Sequence, residues 1–210
     1  VLADGSVLSD LAGLDKDNTG YDLPGLFCGS EGTLGIITAV TVMLHHPSPE
    51  VVTALLGFDS VSDAMVAVRS LVAAHLPLEA VELMLDSGFE LVRSTFGLPS
   101  PFDRRHAAYL LVECADATPV AERLSSTVGD LAGLADAAVA EDSGRRSTLW
   151  QFRELHTEAV AGIEPPLKLD VSLPISVVGQ FVSDTIEEVA DTHPGASVWI
   201  WGHAGDGNVH

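Results

Sequence analysis

Residues 199–210 read Trp-Ile-Trp-Gly-His-Ala-Gly-Asp-Gly-Asn-Val-His and set two imidazoles, His203 and His210, seven positions apart. On a helix that spacing shares one face, but three glycines and an aromatic strand argue against helix. A hairpin fits better, with Gly205-Asp206-Gly207-Asn208 as its turn and His203 roughly opposite His210. Opposed side chains on a hairpin have Cβ atoms about 4.5–5.5 Å apart. Two imidazoles so placed can share one divalent cation such as zinc, manganese or iron. Histidines that merely hydrogen-bond beside a turn produce the same pattern, and two protein ligands are too few for a stable site. Asp206 reads as a turn residue rather than a ligand.

A second group could hold an anion. The chain has only two lysines, Lys16 and Lys168, so a cation in an apolar setting raises the question of what it meets. On a helix expected over residues 149–162, Leu149, Phe152, Leu155, Ala159 and Ile163 form the apolar stripe. Arg153 and Thr157 then lie one turn apart on a neighbouring stripe and can reach one ligand. Arginine suits two-pronged carboxylate recognition. On a strand over residues 168–173, alternation puts Lys168, Asp170 and Ser172 on one face. Surface pairing of Arg153 with Glu154 and a solvated strand face account for the same pattern.

A third group is the glycine-rich run Gly29-Ser30-Glu31-Gly32-Thr33-Leu34-Gly35-Ile36-Ile37-Thr38. Glycines let backbone approach a ligand, and successive N–H groups can cradle phosphate oxygens. No helix follows at the spacing of the dinucleotide fingerprint, and a tight turn entering a strand also explains the run.

The elements that must position these groups follow from periodicity and turn signals. Strands are expected at residues 36–44, 51–58, 107–114, 137–141, 168–173 and 198–203. Helices are expected at 61–74 with Ser60 or Ser62 as N-cap, around 86–92, and at 119–131, 149–162 and 177–191. The proline-broken run His45-His46-Pro47-Ser48-Pro49-Glu50 marks a domain boundary, giving domains 1–46 and 47–210. The alternation predicts an α+β fold of ferredoxin-like type, an antiparallel sheet with helices packed on one face.

Composition narrows the function classes. With 47% hydrophobic residues the chain can bury a core. Ten Lys and Arg against thirty Asp and Glu give a net charge of −20, a poor match for nucleic acid or anionic membrane. No apolar run is long enough to span a bilayer. Cys28 and Cys114 lie far apart, which predicts two buried thiols and a reducing, cytoplasmic setting, with peripheral membrane association as an option. His45 and His46 fall in the linker, and His75, His106 and His193 read as surface or capping residues, while His156 is an outside candidate for the pocket. The chain opens without an initiator Met or signal peptide and ends abruptly, which reads as a fragment.

The runs Lys16-Asp17-Asn18-Thr19-Gly20-Tyr21-Asp22-Leu23 and Leu26 to Thr38 resemble the end of the FAD-binding domain in vanillyl-alcohol-oxidase-like flavoproteins. They are most similar to the branch of D-lactate dehydrogenase, the glycolate oxidase flavin subunit and D-2-hydroxyglutarate dehydrogenase. The Gly-His-x-Gly-Asp-Gly-Asn-x-His run from Gly202 to His210 resembles the signature of that branch's cap domain. Leu149 to Glu154, Thr157, and Lys168 to Pro174 resemble its substrate-carboxylate segment. The resemblance implies that Glu31, Gly32, Thr33, Gly35, Ile36 and Ile37 approach FAD. It implies that Arg153, Thr157 and Lys168 hold a carboxylate, and that His203 and His210 are metal ligands, completed by a later carboxylate and a catalytic His past residue 210. The implied reaction is FAD-dependent oxidation of a small 2-hydroxy acid, passing electrons to a quinone, an electron-transfer protein or oxygen. Departures are Phe152, where a Leu is common, and Pro165-Pro166, where the family often has an aromatic and small residues. A flavin oxidase that uses no metal and a non-catalytic, anion- or partner-binding fragment stay open beside it.

Overall fold

Leu55-Leu56 and Leu110-Leu111 put bulky side chains at consecutive strand positions, so both faces of the sheet they build need cover. The structure, a computed structural model, describes every residue except Asp15, Pro49, Thr118 and Glu164. Pro49 of the expected linker therefore lies outside the described residues. The chain divides into two compact units, Val1–Pro47 and Ser48–His210.

The first unit carries one short helix among its described residues, α1 (Leu23–Phe27), capped by the Asp22 side chain. The strand expected at residues 36–44 does not form. Its β-branched residues favour extended backbone, but a strand also needs a ladder partner. Among the described residues, only Ile36 exchanges backbone bonds, with Val1, at 2.9 and 2.8 Å. Val40, Val42, Met43 and Leu44 stay exposed.

The second unit runs β1 (Glu50–Phe58), α2 (Val61–Ala73), β2 (Leu78–Leu85), α3 (Asp86–Phe96), β3 (Ala108–Asp116), α4 (Ala121–Gly129) and β4 (Leu134–Ala140). It continues with α5 (Ser143–Glu154), α6 (His156–Ala161), β5 (Val171–Ser172), α7 (Ile175–Thr192), β6 (Trp201–Gly202), a 3₁₀ turn (Ala204–Asp206) and β7 (Asn208–Val209). The main sheet has the order β4-β1-β3-β2-β6, all neighbours antiparallel. Its β4-β1-β3-β2 portion is the ferredoxin-like arrangement, with α2 and α4 as the crossovers.

Helices cover both faces, where one covered face was expected. On one side Val52, Leu56, Leu83, Leu110 and Val112 pack with residues of α2, α4 and α7. On the other, Leu55, Met84, Tyr109 and Leu111 meet Phe89 of α3, Leu149 and Phe152 of α5, and Val160 of α6. Phe89 stacks between Tyr109 and Phe152, with ring centroids 3.9 and 4.3 Å away. No helix among the described residues is long and apolar enough to cross a membrane.

Local chemistry sets the boundaries. Ser60, rather than Ser62, caps α2 by accepting from the Asp63 N–H at 3.0 Å. The α5 helix starts six residues earlier than the apolar stripe implies, because Asp142 caps it through the Arg145 N–H. Residues 143–148 are polar and carry no periodic signal. His106 is buried, not a surface residue: Gly57 has no side chain where the His106 imidazole lies. Cys114 is buried as expected, whereas Cys28 is exposed, and both are unpaired.

Candidate active site

Glu82 lies on β2 in register with Leu111, on the sheet face that also carries Met84 and Tyr109. A carboxylate on that face cannot stay unpaired at low cost. Its side chain is 6% exposed, and both oxygens are used. Oε2 accepts from Arg153 Nε at 2.5 Å, and Oε1 accepts from His203 Nδ1 at 2.7 Å. Three elements therefore meet at one carboxylate: an interior strand, the last turn of α5, and the residue following β6.

The expected helix over residues 149–162 is interrupted at Leu155, so Arg153 ends α5 while Thr157 belongs to α6. Arg153 is largely buried against Glu82, and Thr157 is exposed. Between them His156 opens α6 fully buried, its ring 5.1 Å from that of Trp201 and neither ring nitrogen hydrogen-bonded among the described residues. Burial pushes its pKa down to about 4.

The histidine run turns differently from the expected hairpin. Ala204–Asp206 is a 3₁₀ turn closed by Gly207 in the left-handed region, at φ +74°. The His203 carbonyl accepts from Asp206 and Asn208, so Trp201, not His203, exchanges backbone bonds with His210, at 3.3 and 2.7 Å. The two imidazoles still come together edge to face, with centroids 5.4 Å apart. His210 Nδ1 lies 3.3 Å from Asp170. Burial lowers the His210 pKa; Asp170 works against that shift, while the charge of Arg153 adds to it.

The strand expected at 168–173 shortens to a two-residue ladder, Val171 and Ser172 against Val209 and Asn208. Asp170 and Ser172 share a face, since the Asn208 amide donates to both, at 2.6 and 2.9 Å. Lys168, two residues upstream, is exposed and makes no hydrogen bond or ion pair among the described residues. Arg153, Glu82, His203, His210 and Asp170 thus form one connected polar cluster. His203 and Glu82 also border a shallow cavity of about 190 Å³.

The donor set can be tested against a divalent cation. Each imidazole has its Nδ1 facing a carboxylate, Glu82 for His203 and Asp170 for His210. That is the outer-shell arrangement that turns Nε2 towards a metal. Two nitrogens fit two ligand positions; no group of three or more His, Cys, Asp or Glu among the described residues could hold a metal ion.

In the first unit the glycine-rich loop is open. Glu31 and Gly32 both have positive φ, at 51° and 80°. The N–H groups of Gly32, Leu34 and Gly35 have no acceptor among the described residues. A Cβ at Gly35 would stand 2.8 Å from the Val1 carbonyl oxygen. Glu31, Thr33, Ile36 and Ile37 are exposed. Unused donors beside apolar side chains suit a ligand with phosphate oxygens and an apolar ring, as FAD has.

Glu82 is the site residue that sequence reasoning missed. The available signal was a single carboxylate within the apolar run Val81-Glu82-Leu83-Met84-Leu85.

Residues 48–210 match the family described as FAD linked oxidases, C-terminal domain. The whole chain is 38% identical over 217 residues to the mitochondrial D-2-hydroxyglutarate dehydrogenase of Bos taurus, covering 39% of that protein. It is 34% identical over 214 residues to the D-2-hydroxyglutarate dehydrogenase of Xanthomonas citri pv. viticola, covering 45% of it. It is also 34% identical over 226 residues, covering 43%, to a mitochondrial protein of Schizosaccharomyces pombe whose name assigns it, provisionally, as a D-lactate dehydrogenase. The chain spans about two fifths of the length of the curated relatives it matches.

Proposed function

We propose, since this chain belongs to the FAD-linked oxidase family by its C-terminal domain, that it serves the oxidation of a D-2-hydroxy acid to the 2-oxo acid. The observation that carries this reading is the joining of Arg153 and His203 by Glu82, with the His210 ring 5.4 Å from that of His203. A guanidinium beside two imidazoles suits a molecule with a carboxylate next to a hydroxyl.

In this reading Arg153 offers its terminal nitrogens to the substrate carboxylate, because its Nε is already engaged. Lys168 and Thr157 complete the clamp, Lys168 from the segment tied to the histidine turn. His203 and His210 hold a divalent cation, zinc, manganese or iron, through Nε2, at the end of the substrate that bears the hydroxyl. Such a cation would lower the pKa of that hydroxyl. Glu31, Gly32, Thr33, Gly35, Ile36 and Ile37 line FAD, which accepts the hydride when bound. Fixing the carboxylate and the hydroxyl together leaves the Cα–H one direction to face, the gain expected of positioning.

The substrates that fit are 2-hydroxyglutarate, lactate and glycolate, with the first favoured by the names of the bovine and Xanthomonas relatives. The electrons pass on to a quinone, an electron-transfer protein or oxygen. The unpaired thiols suit a reducing setting, cytoplasmic or at a membrane periphery, while the bovine and fission-yeast relatives are named mitochondrial.

The test is anaerobic bleaching of flavin absorbance in the FAD-loaded protein by each acid, before and after a chelator. Rapid bleaching by one acid, lost with chelator and restored by a divalent metal, supports the whole reading. Bleaching that ignores the chelator keeps the dehydrogenase and removes the metal. Bound flavin that no 2-hydroxy acid bleaches overturns the reading.

A further inference from the structure

The pairing of Glu82 is unusual for a stability device. A buried ion pair returns little against an apolar residue of similar size, because both charges lose water. The neighbours Val81, Leu83 and Met84 show that β2 accepts apolar side chains at this depth. The carboxylate instead touches two groups on separate elements and leaves each with one open edge. Among the described residues, Arg153 has no acceptor other than Glu82, so its terminal nitrogens stay available. Among the described residues, His203 Nδ1 has no partner other than Glu82, and its Nε2 has none. A carboxylate only accepts, so the His203 proton belongs on Nδ1 and the lone pair on Nε2 points away. The anchor itself is stiff, because β2 lies between β3 and β6 in the sheet.

We propose that Glu82 is a positioning residue that fixes the Arg153 guanidinium and the His203 imidazole as a matched pair for the adjacent carboxylate and hydroxyl of a 2-hydroxy acid. This rests on the functional reading above. Glu82 touches neither substrate nor cofactor in it. It sets the rotamer of Arg153 and the tautomer of His203, the two degrees of freedom that would otherwise be settled anew on each binding event.

The experiment uses the FAD-loaded protein and Glu82→Gln. Glutamine keeps the shape but puts a donor amide where one acceptor oxygen stood, so it offers an acceptor at only one of the two positions that Arg153 and His203 meet. We expect kcat/KM for the acid that bleaches the wild type fastest to fall about 10–100-fold, the range seen when outer-shell partners are lost. Flavin content and flavin reduction by dithionite stay unchanged. Independently, ¹⁵N NMR of the chelator-treated wild type should place the neutral His203 proton on Nδ1. That measurement needs no variant and decides the matter if Glu82→Gln does not fold. A proton on Nε2, or a folded Glu82→Gln within twofold of wild-type kcat/KM, overturns the inference. A wild type whose flavin no 2-hydroxy acid bleaches overturns the functional reading first, and the substrate half of this inference with it.

Discussion

The Gly207 carbonyl accepts from the Leu173 N–H at 2.8 Å, so the turn that carries both histidines is tied to the segment that carries Lys168. Gly207 sits at φ +74°, and a Cβ there would fall on the Leu173 carbonyl oxygen. Alanine at this position meets both backbone strain and a clash with main chain. Gly207→Ala should cost at least about 2 kcal/mol, within the range for forced left-handed residues. A thermal melt reads this as a lowered Tm, and an unchanged Tm would show that the turn relaxes freely.

Removing Arg153 leaves a buried carboxylate without its cation. Arg153→Met should destabilise the fold by about 3 kcal/mol, the low end for a broken buried pair. The double variant Glu82→Leu, Arg153→Met should recover part of that loss, because no charge is then stranded. Chemical denaturation of the two variants tests the sign. A double variant less stable than Arg153→Met would refute the account.

His156 makes stability depend on pH. Its folded pKa, about 4, lies below its ordinary 6.5, so the unfolded chain binds more protons between those values. The His156 contribution to stability should therefore be lost as pH drops from about 6.5 to 4, by roughly 3 kcal/mol in all. In His156→Leu the slope across that window should be shallower than in the wild type. Equal slopes would assign the dependence to other groups.

Cys114 should resist thiol reagents. Burial pushes its thiol up to about 11, so little thiolate exists at neutral pH, and β3 keeps it from solvent. Labelling of Cys114 at pH 8 should wait for unfolding, which mass spectrometry after native and denaturing treatment can follow. Labelling in the native protein would contradict its placement.

Much of the second unit was legible because its signals are local. Ser60 before an apolar-periodic run, the Val-Val-Thr start of β1 and the apolar run of β3 announce their elements. The both-sided cover was not read, although Leu55-Leu56 and Leu110-Leu111 carried its signal, and helix placement comes from tertiary contacts. The break at Leu155 was not readable, since residues 149–163 keep one apolar period through it. Spacing singled out His203, His210 and Arg153 as candidates, and the structure brings them into one polar cluster. Spacing could not find Glu82, because what makes Glu82 matter is two partners 71 and 121 residues away. The strand expected at 36–44 shows the opposite limit: β propensity was present, and a partner ladder was not.

The Glu82 pairing also bears on which anions the site admits. A guanidinium already engaged through Nε offers a visitor only its terminal edge, and part of its charge is answered from within. A simple anion such as chloride would meet a weakened attraction there and, having no hydroxyl, no second point of attachment. In the reading proposed above, a 2-hydroxy acid presents its carboxylate to Arg153 and its hydroxyl oxygen to the cation that His203 and His210 hold. On that reading the bond from Arg153 to Glu82 would favour a two-point ligand over a bare anion.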